Sequence, residues 1–359
     1  LSLAVGILPR QREGDRAGRG TVALGLLLLA LGACLVVSLG VGPAGLSPAR
    51  VVEILLAGPG SRESMGETVI VWQIRLPRAL LGALVGASLG VSGAVMQGLF
   101  RNPLADPGLI GISSGSALGA VSMIVGAGGV LRTLAAALGG FALPVAAFVG
   151  GLAATSVLYA IATRQGRTSV ATLLLAGIAI GAFASAALGL LVYLSDDQQL
   201  RDITFWTLGG LAGANWPKLF ACGPIMLAAL LAVLTLGRSL NALTLGEAEA
   251  FHLGIRVQRV KRLAIFLVCA ATGAAVAVAG VVGFVGIVVP HMLRLAIGAD
   301  HRVLLPGSAL LGAILLLLAD MVARTVASPA ELPIGILTAA LGAPFFLWLL
   351  LRRRGLAAF

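Results

Sequence analysis

Nine stretches of this chain, each 17 to 31 residues long, contain no charged side chain: 20–49, 79–100, 107–131, 133–163, 168–195, 219–237, 263–293, 303–319 and 332–351. A bilayer core about 30 Å thick takes about 20 apolar residues to cross as a helix, so these runs read as membrane spans. The composition agrees. Of 359 residues, 59% are hydrophobic and 11% charged, against about a quarter charged in soluble domains, and the mean hydropathy is +1.05. A cytosolic enzyme, a disordered tail protein and an extracellular disulfide scaffold are excluded.

The run 263–293 is too long for one helix, and Gly280, Gly283 and Gly286 mark its break. Ten spans result, at about 21–40, 79–100, 107–127, 141–163, 170–194, 218–237, 262–282, 284–298, 303–322 and 333–351. An even number puts both termini on one side. The net charge of +11 comes from 25 bases against 14 acids, and Lys218 and Lys261 are the two lysines among those bases. In a soluble chain this excess points to nucleic acid; here bases flank spans and orient them. Segments on the N-terminal side carry 16 bases and those on the opposite side 8, which predicts cytoplasmic N- and C-termini. Arg10, Arg12, Arg16 and Arg19 place residues 1–20 in a short cytoplasmic segment. The apolar stretch that follows reaches about Gly40, longer than the roughly 7–15 residues of a signal peptide core, and is read as a retained first helix.

Glycine is abundant, with 49 residues concentrated in the spans. Gly82, Gly86 and Gly90 recur every fourth residue and put small side chains on one face of the second span, which lets membrane helices approach closely. Residues 86–93 and 273–280, five spans apart, are faintly similar. That offset suggests an inverted five-plus-five repeat with a pathway at the interface of its halves.

No phosphate-binding loop ends at either lysine and no HExxH is present. Gly111 to Ser116 lacks the lysine of such a loop and reads as helix packing or pathway lining. His252, His291 and His301 are scattered, and Cys34, Cys222 and Cys269 each sit within an apolar run, so neither a metal site nor a disulfide framework is supported. The longest polar segment on the base-rich side is 238–262. Within it Thr244-Leu245-Gly246-Glu247 fits a capping box. A short helix from Ala248 to Leu253 follows, and Gly254 supplies its stop. Phe251, Leu253 and Ile255 lack a core of their own there, so the knob is either a solvated loop or a docking surface for a soluble partner. On the base-poor side Arg75 and Arg78 precede the second span and Arg324 follows the ninth. They either snorkel at helix ends or pair with acids of an external partner. Arg101 to Pro107 is a tight turn whose prolines stop and restart helices.

Several segments carry a family resemblance: Gly93-Ala94-Val95-Met96-Gln97, Arg101 to Pro107, Leu173 to Gly177, Phe284 to His291, and Glu331 to Gly335. In this order, between about residue 70 and 354, they resemble the FecCD-type permeases of type II ATP-binding-cassette importers. The resemblance implies an all-α, homodimeric permease that moves an iron or cobalt chelate by alternating access. The cargo would be haem, a ferric siderophore or cobalamin. Two copies of a separate ATPase dock inside, and a periplasmic binding protein docks outside, at the inner membrane of a bacterium. By the same resemblance, a coupling segment at about 239–258, with Thr244, Glu247, Ala248, Phe251, Leu253 and Gly254, seats the ATPase. Arg75, Arg78 and Arg324 meet the binding protein. Asn102 and Leu104, with Val170, Ala171 and Thr172, form the cytoplasmic gate, and the fifth span lines the pathway. The chain binds no cofactor, and ATP and Mg belong to the ATPase. Leu200 to Gly210 looks most like haem permeases, whereas 280–350 also resembles the cobalamin permease. A secondary transporter or channel is the rival class and would need paired intramembrane charges, which the mid-span sequences scarcely carry. A membrane-embedded enzyme would need a catalytic constellation that the sequence does not show.

Overall fold

The structure is a computed structural model that describes residues 13–42, 45–60 and 65–356, with side chains over 18–42, 45–60 and 65–347 and at Leu351. Residues 1–12 of the expected N-terminal segment lie outside the described residues. Helix α1 (Glu13–Gly40) starts ahead of its expected limit. Two short helices follow, α2 (Pro48–Ala57) and α3 (Met65–Val69), and a π-helical turn at Ile70–Arg75 leads into α4 (Leu76–Leu99). Next come α5 (Ile112–Gly126), α6 (Arg132–Leu138) and α7 (Ala142–Ala162). A hairpin of two-residue strands, β1 (Thr163–Arg164) and β2 (Arg167–Thr168), leads to α8 (Val170–Tyr193), α9 (Asp197–Leu208) and α10 (Trp216–Leu234). Helices α11 (Gly237–Leu245) and α12 (Glu247–His252) precede α13 (Val257–Ala279), α14 (Val285–Ile297), α15 (His301–Val326) and α16 (Ile334–Leu356).

Among the described residues, seven helical stretches are long and apolar enough to cross a membrane, and α5, α14 and the Ile334–Leu347 part of α16 are shorter apolar helices. These match the ten expected spans. Helices α2, α3, α6, α9 and α11 were not anticipated. Helix α9 has a capping box in which Asp196 Oδ1 accepts from the Gln199 amide at 2.8 Å and Gln199 Oε1 accepts from the Asp196 amide at 3.2 Å.

Helices α4 and α13 form the centre, and α1 and α8 lie at the rim of the single chain. The glycine face of α4 explains its depth. A Cβ at Gly86 would lie 2.2 Å from the Gly312 carbonyl oxygen, at Gly90 2.5 Å from that of Ser308, and at Gly93 1.8 Å from that of Gly286. The backbones of α4, α14 and α15 therefore touch, as small residues permit in membrane bundles. Contacts follow the expected repeat. Helix α4 packs on α14 and α15, as α13 packs on α5 and α7, and the pair α5–α7 corresponds to α14–α15. The break at Gly280 is real. Gly280 has φ +67 and Phe284 φ +66, and the intervening segment carries the chain from Trp206 to Gly93. Gly93 lies roughly 26 Å along α4 from its start, which explains why α14 is short.

Candidate functional site

Two ends of the bundle carry the polar chemistry. At the base-poor end the three arginines are buried. Arg78, 8% exposed, donates to Asp320 Oδ1 from Nε at 3.0 Å and from Nη2 at 2.8 Å, and to Glu331 at 2.8 and 2.9 Å. Arg324, 6% exposed, donates to the Ser38 carbonyl at 2.8 Å and its hydroxyl at 2.9 Å, with Nε 3.3 Å from Asp320. Arg75 donates to the carbonyls of Leu39 and Gly40 at 2.7 and 2.9 Å. Neither free snorkelling nor pairing only with an external partner's acids describes them, because each is partnered within the chain. Asp320 and Glu331 supply the acids, and Arg324 lies within α15, not beyond it. The cluster ties α1, α4 and α15 to the lead-in of α16. Glu331 is half-buried, and the Arg78 guanidinium holds its carboxyl below the usual range.

Beside the knot opens a cavity of about 430 Å³, lined among others by Arg78, Asp202, Trp206, Leu211, Lys218 and Glu331. Close backbone packing shapes its floor. The Gly210 amide donates to the Ala279 carbonyl at 2.8 Å, and the Ile334 amide to that of Gly209 at 2.9 Å. The sequence Leu200 to Gly210 thus forms α9 and the wall of this mouth.

At the opposite, base-rich end, α12 is the short helix expected at Ala248 to Leu253, shifted by one residue, and α11 adds a second helix to the knob. The capping box does not form. Thr244 Oγ1 donates to the Asn241 carbonyl at 2.6 Å, while Glu247 pairs with Lys261, so an ion pair from the next span replaces the local cap. Gly254 does end α12: it has φ +80, its amide donates to Phe251 at 2.9 Å, and the Ile255 amide donates to Ala250 at 3.0 Å. Leu245, Phe251 and Leu253 are exposed, and Ala248 and Phe251 line a groove of about 680 Å³ with Arg167, His252, Arg256 and Arg259.

Asn102 and Leu104 sit in the 101–107 turn, where Asn102 Oδ1 accepts from the Leu104 amide at 3.0 Å. Asp106 Oδ1 accepts from the Gly108 amide at 2.7 Å, and burial pushes its carboxyl up. Val170, Ala171 and Thr172 form the first turn of α8, capped by Ser169, whose hydroxyl accepts from the Thr172 amide at 3.3 Å. Beneath the 101–107 turn, Gln97 donates to the Gly286 carbonyl at 3.1 Å and accepts from Arg294. Asn241 bridges Asp300 and His301, at 2.7 Å to the former and 2.8 Å to the Nδ1 of the latter. Asp300 is held well below the usual carboxylate range by Arg302. Sequence reading gave no role to Asp320, Lys261 or Gln258, and placed Gln97 and Glu331 in motifs without a role, because their partners come from distant segments. Among the described residues, no group of three or more His, Cys, Asp or Glu side chains is placed to hold a metal.

Ten apolar helices among the described residues, around a glycine-packed centre, with a mouth at one end and an exposed knob at the other, define a polytopic all-α membrane protein. The chain belongs to the FecCD transport family, whose model matches residues 27–352. The match starts ahead of residue 70 and takes in most of the first span. The hemin transport system permease protein HmuU of Yersinia pestis is 51% identical over 285 residues, 79% of this chain and 84% of that protein. The cobalamin import system permease protein BtuC of Halobacterium salinarum is 47% identical, covering 79% and 73%. A solved structure described as an inward-facing conformation of a metal-chelate type ABC transporter superposes with a TM-score of 0.80 at 35% identity, covering 92% of this chain and 99% of that one.

Proposed function

We propose that this chain is the permease of an ATP-driven importer whose cargo is haem. The coarser statement, a permease of the metal-chelate, haem or cobalamin class of ABC importer, follows from family membership. The observation that carries haem is the 51% identity to the hemin permease over 79% of the chain. Two copies pair in the inner membrane with the base-rich end inside, so both termini are cytoplasmic, and the pathway runs between the copies along α8. That helix presents Leu175, Ile178, Phe183 and Leu190 outward from the single chain, an apolar surface suited to a flat apolar macrocycle passed on intact. Two copies of a separate ATPase, which hold ATP and Mg, seat in the groove beside Phe251 and Leu253. The binding protein docks on the base-poor face, where Arg75, Arg78 and Arg324 shape the mouth from beneath and Glu331 reaches its rim. The cytoplasmic gate is formed by the 101–107 turn and the first turn of α8.

Purified permease, ATPase and binding protein reconstituted in liposomes test this directly. ATP-dependent haem uptake is expected, and it should be lost when 244–254 is replaced by a Gly/Ser linker. Cobalamin uptake in preference to haem would reassign the cargo; uptake that ignores ATP but follows an ion gradient would remove the importer class.

A further inference from the structure

We infer that Lys261 and Gln258 fasten the ATPase-seating knob to the strand that leads into α8, so that movement of α12 is delivered to the gate. This rests on the reading of α12 as the ATPase seat and of Val170 to Thr172 as gate. The link is continuous in the structure. Glu247, the first residue of α12, pairs with Lys261 Nζ, and that same nitrogen donates to the Thr168 carbonyl at 2.9 Å. One turn earlier on α13, Gln258 Oε1 accepts from the Thr168 amide at 3.0 Å. Both backbone polar groups of Thr168 are thus held by side chains of α13. The next residue, Ser169, caps α8 at Thr172 and returns its amide to the Ala162 carbonyl at 3.0 Å.

The hairpin is suited to pass a push rather than absorb it. Its turn residues Gln165 and Gly166 have φ 49 and 74, the primed geometry that matches strand twist. The Thr163 and Thr168 hydroxyls are 3.0 Å apart across it. Strands of two residues have little stability of their own, so the grip of α13 fixes where the hairpin sits. Lys261 is 2% exposed and Thr168 4%. A buried ammonium persists where it is paired and hydrogen-bonded, and these partners lie on the two segments that must move together. A packing role alone would ask only for an apolar side chain of similar length.

Lys261→Met keeps the length and removes the donors; Lys261→Arg keeps donors and charge. In liposomes holding the complete transporter, Lys261→Met should lower haem moved per ATP hydrolysed by about tenfold, the scale of one lost hydrogen bond to a charged group. ATPase co-purification and basal hydrolysis should persist, and Lys261→Arg should restore the ratio. In the permease alone, Lys261→Met should speed amide exchange across 163–172 while α10 is unchanged. Should Lys261→Met fail to reach the membrane, Gln258→Leu, which removes only the bond to the Thr168 amide, gives the same exchange test. A wild-type transport ratio, or unchanged exchange at 168–172, overturns the inference. The exchange arm needs no partner, so the two failures are separable: wild type without ATP-driven uptake sinks the importer reading, and unchanged exchange sinks the fastening.

Discussion

Asp320→Leu removes the one carboxylate that Arg78 and Arg324 share. Asp320 is 1% exposed and sits 2.8 Å from Arg78 Nη2 and 3.3 Å from Arg324 Nε. After the change Arg78 keeps Glu331, but Arg324, itself 6% exposed, is left with the uncharged carbonyl and hydroxyl of Ser38. Stripping a buried charge of its partner costs roughly 3–5 kcal/mol. Glu331→Gln breaks a pair whose acid side chain is 39% exposed, which is worth roughly 0–1 kcal/mol. Adding Arg324→Leu to Asp320→Leu removes the stranded cation and should recover most of the loss, because a buried pair replaced by apolar groups is often neutral. The three cysteines are free and buried, so a thiol-reactive dye reports unfolding of the detergent-solubilised protein on heating. At about 2.1 cal/mol/K per residue, roughly 3–5 kcal/mol lowers the midpoint of a chain this size by roughly 4–7 °C. Equal drops for Asp320→Leu and Glu331→Gln, or no recovery in the double variant, would refute the assignment of Asp320 as the centre of the knot.

Gly93→Ala should prevent correct assembly, since its methyl would fall 1.8 Å from a backbone oxygen of α14 that cannot swing aside, whereas Gly25→Ala meets nothing within 4 Å and should be neutral; size-exclusion profiles of the two compare them. The Glu331 carboxyl is depressed by its bond to Arg78, so its stabilisation is present above its ordinary value of 4.5 and is lost as pH falls below that through the folded value. Glu331→Gln should flatten the acid limb of a tryptophan-monitored unfolding midpoint between pH 3 and 5 (about the ordinary carboxylate range), and an unchanged limb would show that another carboxylate sets it.

The spans were legible because crossing a bilayer demands length without charge, a property each segment carries by itself. The break in 263–293 was legible for a different reason: Gly280 takes a positive φ there, and Gly286 must let α4 approach. Helix α9 was not found, because Asp197, Arg201 and Asp202 disqualify it by hydropathy, although Asp196 and Gln199 at capping-box spacing did announce it. The same pattern misled at Thr244 and Glu247. A cap is a local bargain between neighbours, and Lys261, 14 residues on, offers Glu247 a charge instead. The acids that neutralise Arg78 lie 242 and 253 residues away, beyond the reach of any spacing rule.

These differences between the ends bear on which parts can move. The α4 helix buries 20 of its 24 residues, and its ends are tied by the Arg78 knot and by Gln97. The α8 helix, also 24 residues long, buries Leu173, Gly177 and Ala184 among its described side chains. Segments with few buried contacts are the ones that open at low cost. Displacing α8 therefore disturbs little of the chain's own core, while displacing α4 would break backbone contacts with α14 and α15 at once. At its N-terminus α8 is joined to the hairpin gripped by Lys261 and Gln258, on the same end as the groove beside α12. A displacement applied there has a short path to a helix that buries few of its own side chains and a rigid block to push against, and the sealed charges at the far end hold that block together.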